Sequence, residues 1–191
     1  MKTFKTIFLT LLATLLLVLV ALGVVAFGGH VDVAATSPGS PLVERFLHVT
    51  RERAVERAAR GIEVPPLDDP ARVERGLVAY HRLCAGCHGA PGVEPAEAAW
   101  GLNPLPPELT HAASEDPARV YWITENGIRM TGMPAFGPVL DEAELWDLVA
   151  AVTVLAETPV EDYERAVGGE EPVAEAEAEV TFDPAEALGD V

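Results

Sequence analysis

Basic residues are scarce in this chain. Its 191 residues include 13 lysines and arginines against 30 aspartates and glutamates, which gives a formal net charge of −17. Lys2 and Lys5 are the only lysines, so every other basic residue is an arginine. This charge argues against nucleic acid as a partner, because the phosphate backbone would be repelled. An acidic protein is complemented by a partner with a basic docking surface. The alternative is that the acidic residues only keep the protein soluble.

Cysteine is scarce as well, which limits the chemistry that thiols can carry here. Cys84 and Cys87 are the only cysteines, so no further thiolates are present to complete a zinc site. No βαβ pattern surrounds the pair, which weighs against a thioredoxin-like redox site. A plain disulfide is the remaining simple alternative. The sequence also lacks an internal repeat and a second pair of this kind.

The two cysteines belong to the motif Cys84-Ala85-Gly86-Cys87-His88. This spacing is typical of covalent haem attachment. Each thiol can add across one vinyl group of the porphyrin, and the adjacent imidazole then lies under the ring, where it can bind iron. The motif therefore predicts one covalently attached haem c, with His88 as an axial ligand of the iron.

Together with residues 126–137, the motif resembles a class I c-type cytochrome domain, and the similarity covers about residues 68–157. The later run contains an Asn-Gly turn followed by Met-Pro-Ala-Phe-Gly. In this family the second axial ligand stands just before Pro-Ala-Phe-Gly, which implies Met133 rather than Met130. The alternative is ligation of the iron by two histidines, with His111 in place of the methionine.

The proline-rich residues 103–107 cannot form regular helix, and the resemblance implies a role for the loop that contains them. Pro107-Glu108-Leu109 is similar to a family segment in which a proline carbonyl accepts a hydrogen bond from the ligand histidine and a leucine packs on the porphyrin. The resemblance thus implies Pro107 and Leu109 as haem-binding residues, with the hydrogen bond orienting the histidine. The alternative is a plain surface loop.

One long hydrophobic run lies near the N-terminus. Residues 7–27 are almost continuously apolar, and as a helix they would extend roughly 31 Å, enough to cross a bilayer. Lys2 and Lys5 precede the run and no basic residue follows it before Arg45. The positive-inside rule therefore predicts that the N-terminus is cytoplasmic and that the haem motif lies on the other side of the membrane. In the family that the motifs resemble, haem is attached on the outer side of the bacterial membrane, so the resemblance implies a single-pass protein of the bacterial cytoplasmic membrane with its haem motif in the periplasm. The run is longer than the core of a usual signal peptide, which favours an uncleaved anchor over a cleaved signal.

Composition predicts four segments along the chain. These are a transmembrane anchor or uncleaved signal at 1–28, a linker and amphipathic spacer helix at 29–67, a haem domain at 68–158, and an acidic disordered tail at 159–191. The tail holds Arg165 as its only basic residue. It has too little apolar area to offset the entropy of ordering.

Helix-start patterns predict an all-α fold, in which a few helices surround one haem and a transmembrane helix precedes them. Gly76 falls on the apolar stripe of the first domain helix, which suggests that another backbone crosses closely there. The last helix begins at Asp141 with a capping box. In class I cytochromes the first and last helices cross at a glycine and an aromatic residue, which Gly76 and Tyr80 resemble. The family often has an aromatic residue where this chain has Ala151, and Trp146 is expected to fill some of that space.

Two axial ligands would leave the iron no open site, so one-electron exchange is the chemistry that remains. We therefore predict a membrane-anchored monohaem cytochrome c, not itself an enzyme, that carries electrons between extracytoplasmic or membrane-bound redox enzymes of a respiratory chain. Two alternatives stay open. One is a haem-bearing electron-entry subunit of an oxidase or dehydrogenase complex, and the other is a gas-binding haem sensor.

Overall fold

The computed structural model describes residues 2–110 and 116–168, and every regular element in these ranges is helical. The helices are α1 (Lys2–Phe27), α2 (Pro41–Ala58), α3 (Pro70–Leu83), α4 (Ala85–His88), α5 (Pro117–Asn126), α6 (Glu142–Leu155) and α7 (Val160–Val167), with a 3-10 helix at Glu97–Gly101. The chain divides into two compact units, Met1–Gly39 and Ser40–Val191. The predicted all-α fold is confirmed.

The first unit contains α1, which is long and apolar enough to cross a membrane. Over Thr3–Phe27 its mean hydropathy is 2.9. The hydroxyls of Thr10 and Thr14 each donate to a carbonyl one turn earlier, at 2.9 Å. The helix therefore satisfies these polar groups within itself, as a bilayer requires.

The core of the second unit is built on a close crossing of α3 and α6. Gly76 is buried, and a methyl group there would overlap the carbonyl oxygen of Asp147. It would also lie 3.0 Å from the Cβ of Ala151, so a small residue is needed on α6 as well. The predicted crossing at Gly76 is confirmed. The expectation for Trp146 is wrong, because its ring stacks on Tyr121 instead, with centroids 4.2 Å apart.

An ion pair reinforces this crossing. Asp147 is a buried carboxylate on α6. Arg75 of α3 donates to both of its oxygens, with Nε 2.7 Å from Oδ2 and Nη2 3.1 Å from Oδ1. Arg72 lies 3.7 Å from the same carboxylate. Because an unpaired buried charge is costly, these contacts hold the two helices in one register.

Two apolar clusters surround α6. The first cluster joins α3, α6 and α7, and the second joins α5, α6 and the loop between them. The largest buried members of the first are Leu77, Tyr80, Leu148, Leu155 and Tyr163. Those of the second are Tyr121, Phe136, Leu145, Trp146 and Val149. Helix α6 therefore has apolar contacts on two sides.

The last described helix corrects the predicted disordered tail. Residues 160–167 form α7, and Tyr163 on it is fully buried. Its hydroxyl lies 2.9 Å from Nδ1 of the buried His81. Val160, Tyr163 and Val167 recur at helical spacing, a local stripe that the acidic average composition concealed. The rest of the predicted tail, residues 169–191, lies outside the described residues.

The predicted spacer helix corresponds to α2, which packs on α5 through its C-terminal half. Ser40 occupies the N-cap position, although its side chain makes no capping bond, and Pro41 opens the helix. Val55 is 2% exposed. Glu52 accepts a hydrogen bond of 2.7 Å from Arg119 on α5. These contacts fix α2 to the helices that follow it.

Candidate haem-attachment site

The cysteine–histidine motif is wound into one helical turn. The amide of Cys84 ends α3 by donating to the carbonyl of Tyr80 at 2.8 Å. The amides of Cys87 and His88 donate to the Cys84 carbonyl at 3.0 and 2.9 Å. Residues at i, i+3 and i+4 share one face of a helix. The turn therefore presents both thiols and the imidazole on one side.

Both cysteines are free thiols, as two thioether bonds require. Cys84 is half-buried and packs against the first cluster, whereas Cys87 is exposed. Burial raises the pKa of Cys84 to about 12, with a smaller contribution from the neighbouring Cys87. Before haem is attached, the Cys84 side chain is thus a neutral thiol at physiological pH.

His88 is oriented by the loop that the sequence singled out. Its Nδ1 lies 2.8 Å from the carbonyl oxygen of Pro107. A hydrogen bond here requires a proton on Nδ1, because the carbonyl can only accept, and this leaves the lone pair on Nε2. Burial lowers the pKa of the imidazole, against a smaller opposing effect of the Pro107 bond. A neutral imidazole with a free Nε2 is the form that binds a metal.

Tyr80 contributes a bond that the sequence did not reveal. Its hydroxyl donates to the carbonyl of Gly89 at 2.7 Å, and the tyrosine is fully buried. The chain leaving the motif is thereby tied back to α3. The amide of Ala96 also donates to the carbonyl of Gly86 at 2.9 Å. These bonds fix the turn at its middle and at its C-terminal end.

The loop that carries Met133 is held against the end of α5. The amide of Ile128 donates to the Met133 carbonyl at 3.2 Å, and the amide of Phe136 donates to the Thr124 carbonyl at 3.0 Å. Gly127 has a φ of 64°, and a side chain there would meet the backbone of residues 133–135. The Asn-Gly turn in the sequence reflects this close approach.

The two candidate methionines have different surroundings. Met133 is half-buried and packs against the second cluster. Met130 is 86% exposed and has a positive φ of 62°. Of the two methionines, Met133 is therefore the one whose thioether is better shielded from water. His111, the histidine alternative, lies outside the described residues.

Leu109 lies beside the motif. Its side chain is half-buried against the first cluster, and its amide donates to the His88 carbonyl at 3.4 Å. Pro107 and Leu109 are therefore both neighbours of His88 in the fold. Their contact with a porphyrin stays a prediction.

The residues of the motif fit a covalently bound haem. Two free thiols and an imidazole with an available Nε2 share one helical turn, and a carbonyl fixes the imidazole. Within residues 2–110 and 116–168, no group of three or more histidine, cysteine or acidic side chains is placed to hold a metal ion by itself. The described residues thus lack a zinc site around the motif, but they hold the donors that a haem uses.

Comparison with known proteins agrees with this geometry. A family model described as cytochrome c oxidase, cbb3-type, subunit III, matches residues 71–150. No curated protein and no solved structure matches the chain. The matched stretch runs from the start of α3 into α6 and contains the motif, Pro107 and Met133. Residues 71–150 therefore form a c-type cytochrome domain, with a covalently bound haem c and its iron.

Proposed function

We propose that this chain is a membrane-anchored monohaem cytochrome c that passes single electrons between extracytoplasmic or membrane-bound redox enzymes. The c-type cytochrome domain already implies an electron-transfer role. The observation that carries the proposal is the bond between His88 Nδ1 and the Pro107 carbonyl, which leaves the lone pair of Nε2 free to bind a metal. Purification in mild detergent tests it, because a carrier is expected to separate from its redox partners.

Each site residue has a distinct part in this proposal. Haem supplies one-electron exchange between the ferric and ferrous states of iron. Cys84 and Cys87 would hold the porphyrin covalently, and His88 would bind the iron through Nε2. Met133 would supply the second ligand, which would leave the metal no site for water or substrate. The Pro107 carbonyl keeps the imidazole in one orientation and raises its basicity.

Replacing Met133 is expected to remove the second axial ligand. A thioether on ferric low-spin haem gives a weak near-infrared charge-transfer band, so Met133→Ala should abolish that band. The reduction potential should fall, because methionine ligation raises it relative to bis-histidine ligation. Near-infrared spectra and a redox titration of the purified holoprotein measure both effects.

Met130→Ala is the matched control, since Met130 is on the same loop but exposed. It should leave the band and the potential nearly unchanged. If the two variants behave the other way round, Met130 is the ligand. If the parent has no such band, the methionine assignment is wrong and His111 is the residue to replace. Rapid carbon monoxide binding by the ferrous parent would favour the gas-sensor alternative.

A second candidate function is supported by the matched family. Its description names an oxidase subunit, which favours a haem-bearing electron-entry subunit of an oxidase or dehydrogenase complex. Such a subunit should elute from mild detergent in a stable complex of fixed stoichiometry. A carrier should elute alone and be reduced or oxidised by its partners in a concentration-dependent way.

Membrane anchoring is expected to be permanent. A helix of roughly 20 apolar residues spans a bilayer rather than adhering to it, and α1 meets this requirement. The full-length protein should therefore remain with membranes through high-salt and carbonate washes, as immunoblots of the fractions would record. A soluble mature protein that begins near residues 33–36 would show that α1 is a cleaved signal.

The charge of the chain suggests the kind of redox partner. Beyond residue 60 the sequence has six arginines and 26 acidic residues. We propose that a basic surface on the partner complements this acidity. The proposed organisation is the anchor at 1–28, the linker and spacer at 29–67, and a haem domain at 68–158 to which α7 adds a packed helix.

A further inference from the structure

Helix α2 has an apolar surface that the rest of the second unit does not cover. Five large hydrophobic side chains in its N-terminal half are exposed. They are Leu42, Val43, Phe46, Leu47 and Val49. Leu42 is 79% exposed and Phe46 is 68% exposed. An exposed patch of this kind on a soluble domain marks an interaction site.

Most of this apolar surface faces away from α5, although Leu47 lies about 100° around the helix from Phe46. Phe46 and the buried Val55 are nine residues apart, as are Val43 and Glu52, which binds Arg119. Nine residues at about 100° each make two and a half turns, so the members of each pair point in opposite directions. One side of α2 packs on the second unit, and the opposite side is turned outward.

The outward side continues as a row of arginines. Arg53 and Arg57 follow Phe46 by seven and eleven residues, so they lie within about 20° of it around the helix axis. Arg60 comes just after the end of α2 at Ala58. All three are exposed, and Arg53 and Arg60 share Glu56 as an ion-pair partner at 3.1 and 3.6 Å. The outward side is apolar in its first half and basic in its second.

The charge of this segment is opposite to that of the remaining chain. Residues 41–60 hold five arginines and three glutamates, a net charge of +2 in a chain of −17. An exposed helix with an apolar stretch and neighbouring arginines is suited to the interface of a membrane with anionic headgroups. Its arginines can bind lipid phosphates while the apolar side chains enter the acyl boundary.

The linker between α1 and α2 keeps α2 close to the bilayer that α1 would span. Residues 28–40 join α1 to α2, and even fully extended they span at most roughly 45 Å. If α1 is anchored, α2 is therefore held at high local concentration near one bilayer surface. We propose that the outward side of α2, from Leu42 to Arg57, together with Arg60 just beyond the helix, binds the surface of an anionic lipid bilayer.

This contact would orient the cytochrome domain. Because the Glu52–Arg119 pair joins α2 to α5 and Val55 of α2 is buried, we expect the domain to follow α2 as one body. The proposal goes beyond electron transfer and does not depend on the identity of the redox partners. It concerns how the domain is positioned above the membrane from which it extends.

Site-directed spin labelling of the full-length holoprotein in nanodiscs tests the proposal. Both native cysteines are consumed by haem attachment, so Phe46→Cys provides one reactive thiol for a nitroxide. Glu44→Cys is the matched control, because it is also exposed and is turned about 160° away from Phe46. Collision rates with oxygen and with a water-soluble nickel complex report whether each label is in lipid or in water.

In discs that contain phosphatidylglycerol, the label at position 46 should gain oxygen collisions and lose nickel collisions. The label at position 44 should stay aqueous, and discs of phosphatidylcholine alone should protect position 46 far less. Replacing Arg53, Arg57 and Arg60 by glutamine should lower the ratio of bound to free α2, by up to about fivefold for each arginine. The visible spectrum should not change, which shows that the domain remains folded.

Three results would overturn the proposal. In the first, the label at position 46 is as accessible to the nickel complex as the label at position 44 in both kinds of disc. The second is equal protection with and without phosphatidylglycerol, which would remove the role of the anionic surface. The third is protection that disappears when labelled protein is diluted with unlabelled chain, because the apolar side would then be covered by a second copy.

Discussion

A chain in which both cysteines are replaced, Cys84→Ala with Cys87→Ala, is expected to contain no covalent haem. The two thioether bonds are the only covalent links that the motif can make to the porphyrin. Neither cysteine is engaged in a disulfide, so each is available for its own bond. A denaturing gel stained for haem peroxidase activity measures the loss directly, because ligand bonds to iron do not survive denaturation. We expect staining to fall to background.

Single substitutions and an axial-ligand variant serve as controls for this loss. Cys84→Ala or Cys87→Ala alone leaves one thioether, so reduced but detectable staining is expected. Met133→Ala should stain like the parent, because an axial ligand is not needed for the covalent bond, even though its spectrum changes. Staining retained in the double variant would contradict haem attachment at this motif.

The parts of the site that could be predicted are those encoded within a few residues. The motif spans five positions, and its helical turn needs only local hydrogen bonds, such as that from His88 to the Cys84 carbonyl. Helix starts are local in the same way. Asp69 and Asp141 cap α3 and α6 with their side chains, as their sequence positions suggest.

The bond from His88 to Pro107 illustrates what a resemblance adds to local reasoning. These residues are 19 positions apart, and no periodicity relates them. The family segment suggested the pairing, and the structure places the two atoms within hydrogen-bond distance. The haem contacts expected of Leu109 and Met133 have the same origin and stay predictions.

Two other long-range contacts escaped prediction because no local pattern encodes them. The bond from Tyr80 to Gly89 and the contact between His81 and Tyr163 depend on how α3, α4 and α7 fold together. Helix α7 was missed because its acidic surroundings dominate the average composition. The one local pattern that indicates the helix is the spacing of its three apolar residues, Val160, Tyr163 and Val167, which are three and four residues apart.

Helix α2 also combines a feature that the local sequence encodes with one that depends on long-range contacts. An amphipathic pattern predicts that a helix has an apolar side, but not which side packs on its own domain. Val55 and Glu52 are the side that binds α5, whereas the larger apolar residues at positions 42–49 are turned outward. The sequence predicts an amphipathic spacer helix here, without the orientation of its two sides.

Gly76→Ala is expected to destabilise the second unit strongly, although it adds only one methyl group. An alanine in a helix is favoured over glycine by about 1 kcal/mol, which on its own would stabilise α3. At this position, however, the added methyl group overlaps the carbonyl oxygen of Asp147 and crowds Ala151. A backbone carbonyl within α6 cannot rotate away as a side chain can, so α3 and α6 must separate. Overpacking of this kind typically costs about 1–3 kcal/mol, and we expect a net loss near the upper end of that range, about 2–3 kcal/mol.

Guanidinium unfolding of the holoprotein in mild detergent measures this loss through tryptophan fluorescence, which haem quenches in the folded state. The midpoint should move to lower denaturant with an unchanged slope, the sign of altered stability rather than of an altered unfolded state. Gly101→Ala is the matched control, because no atom lies within 4 Å of the added carbon, and it should change stability by less than about 0.5 kcal/mol. Adding Ala151→Gly to Gly76→Ala should not restore the midpoint, since the overlap with the Asp147 backbone remains. A Gly76→Ala protein as stable as the parent would show that the two helices do not approach as closely as the structure has them.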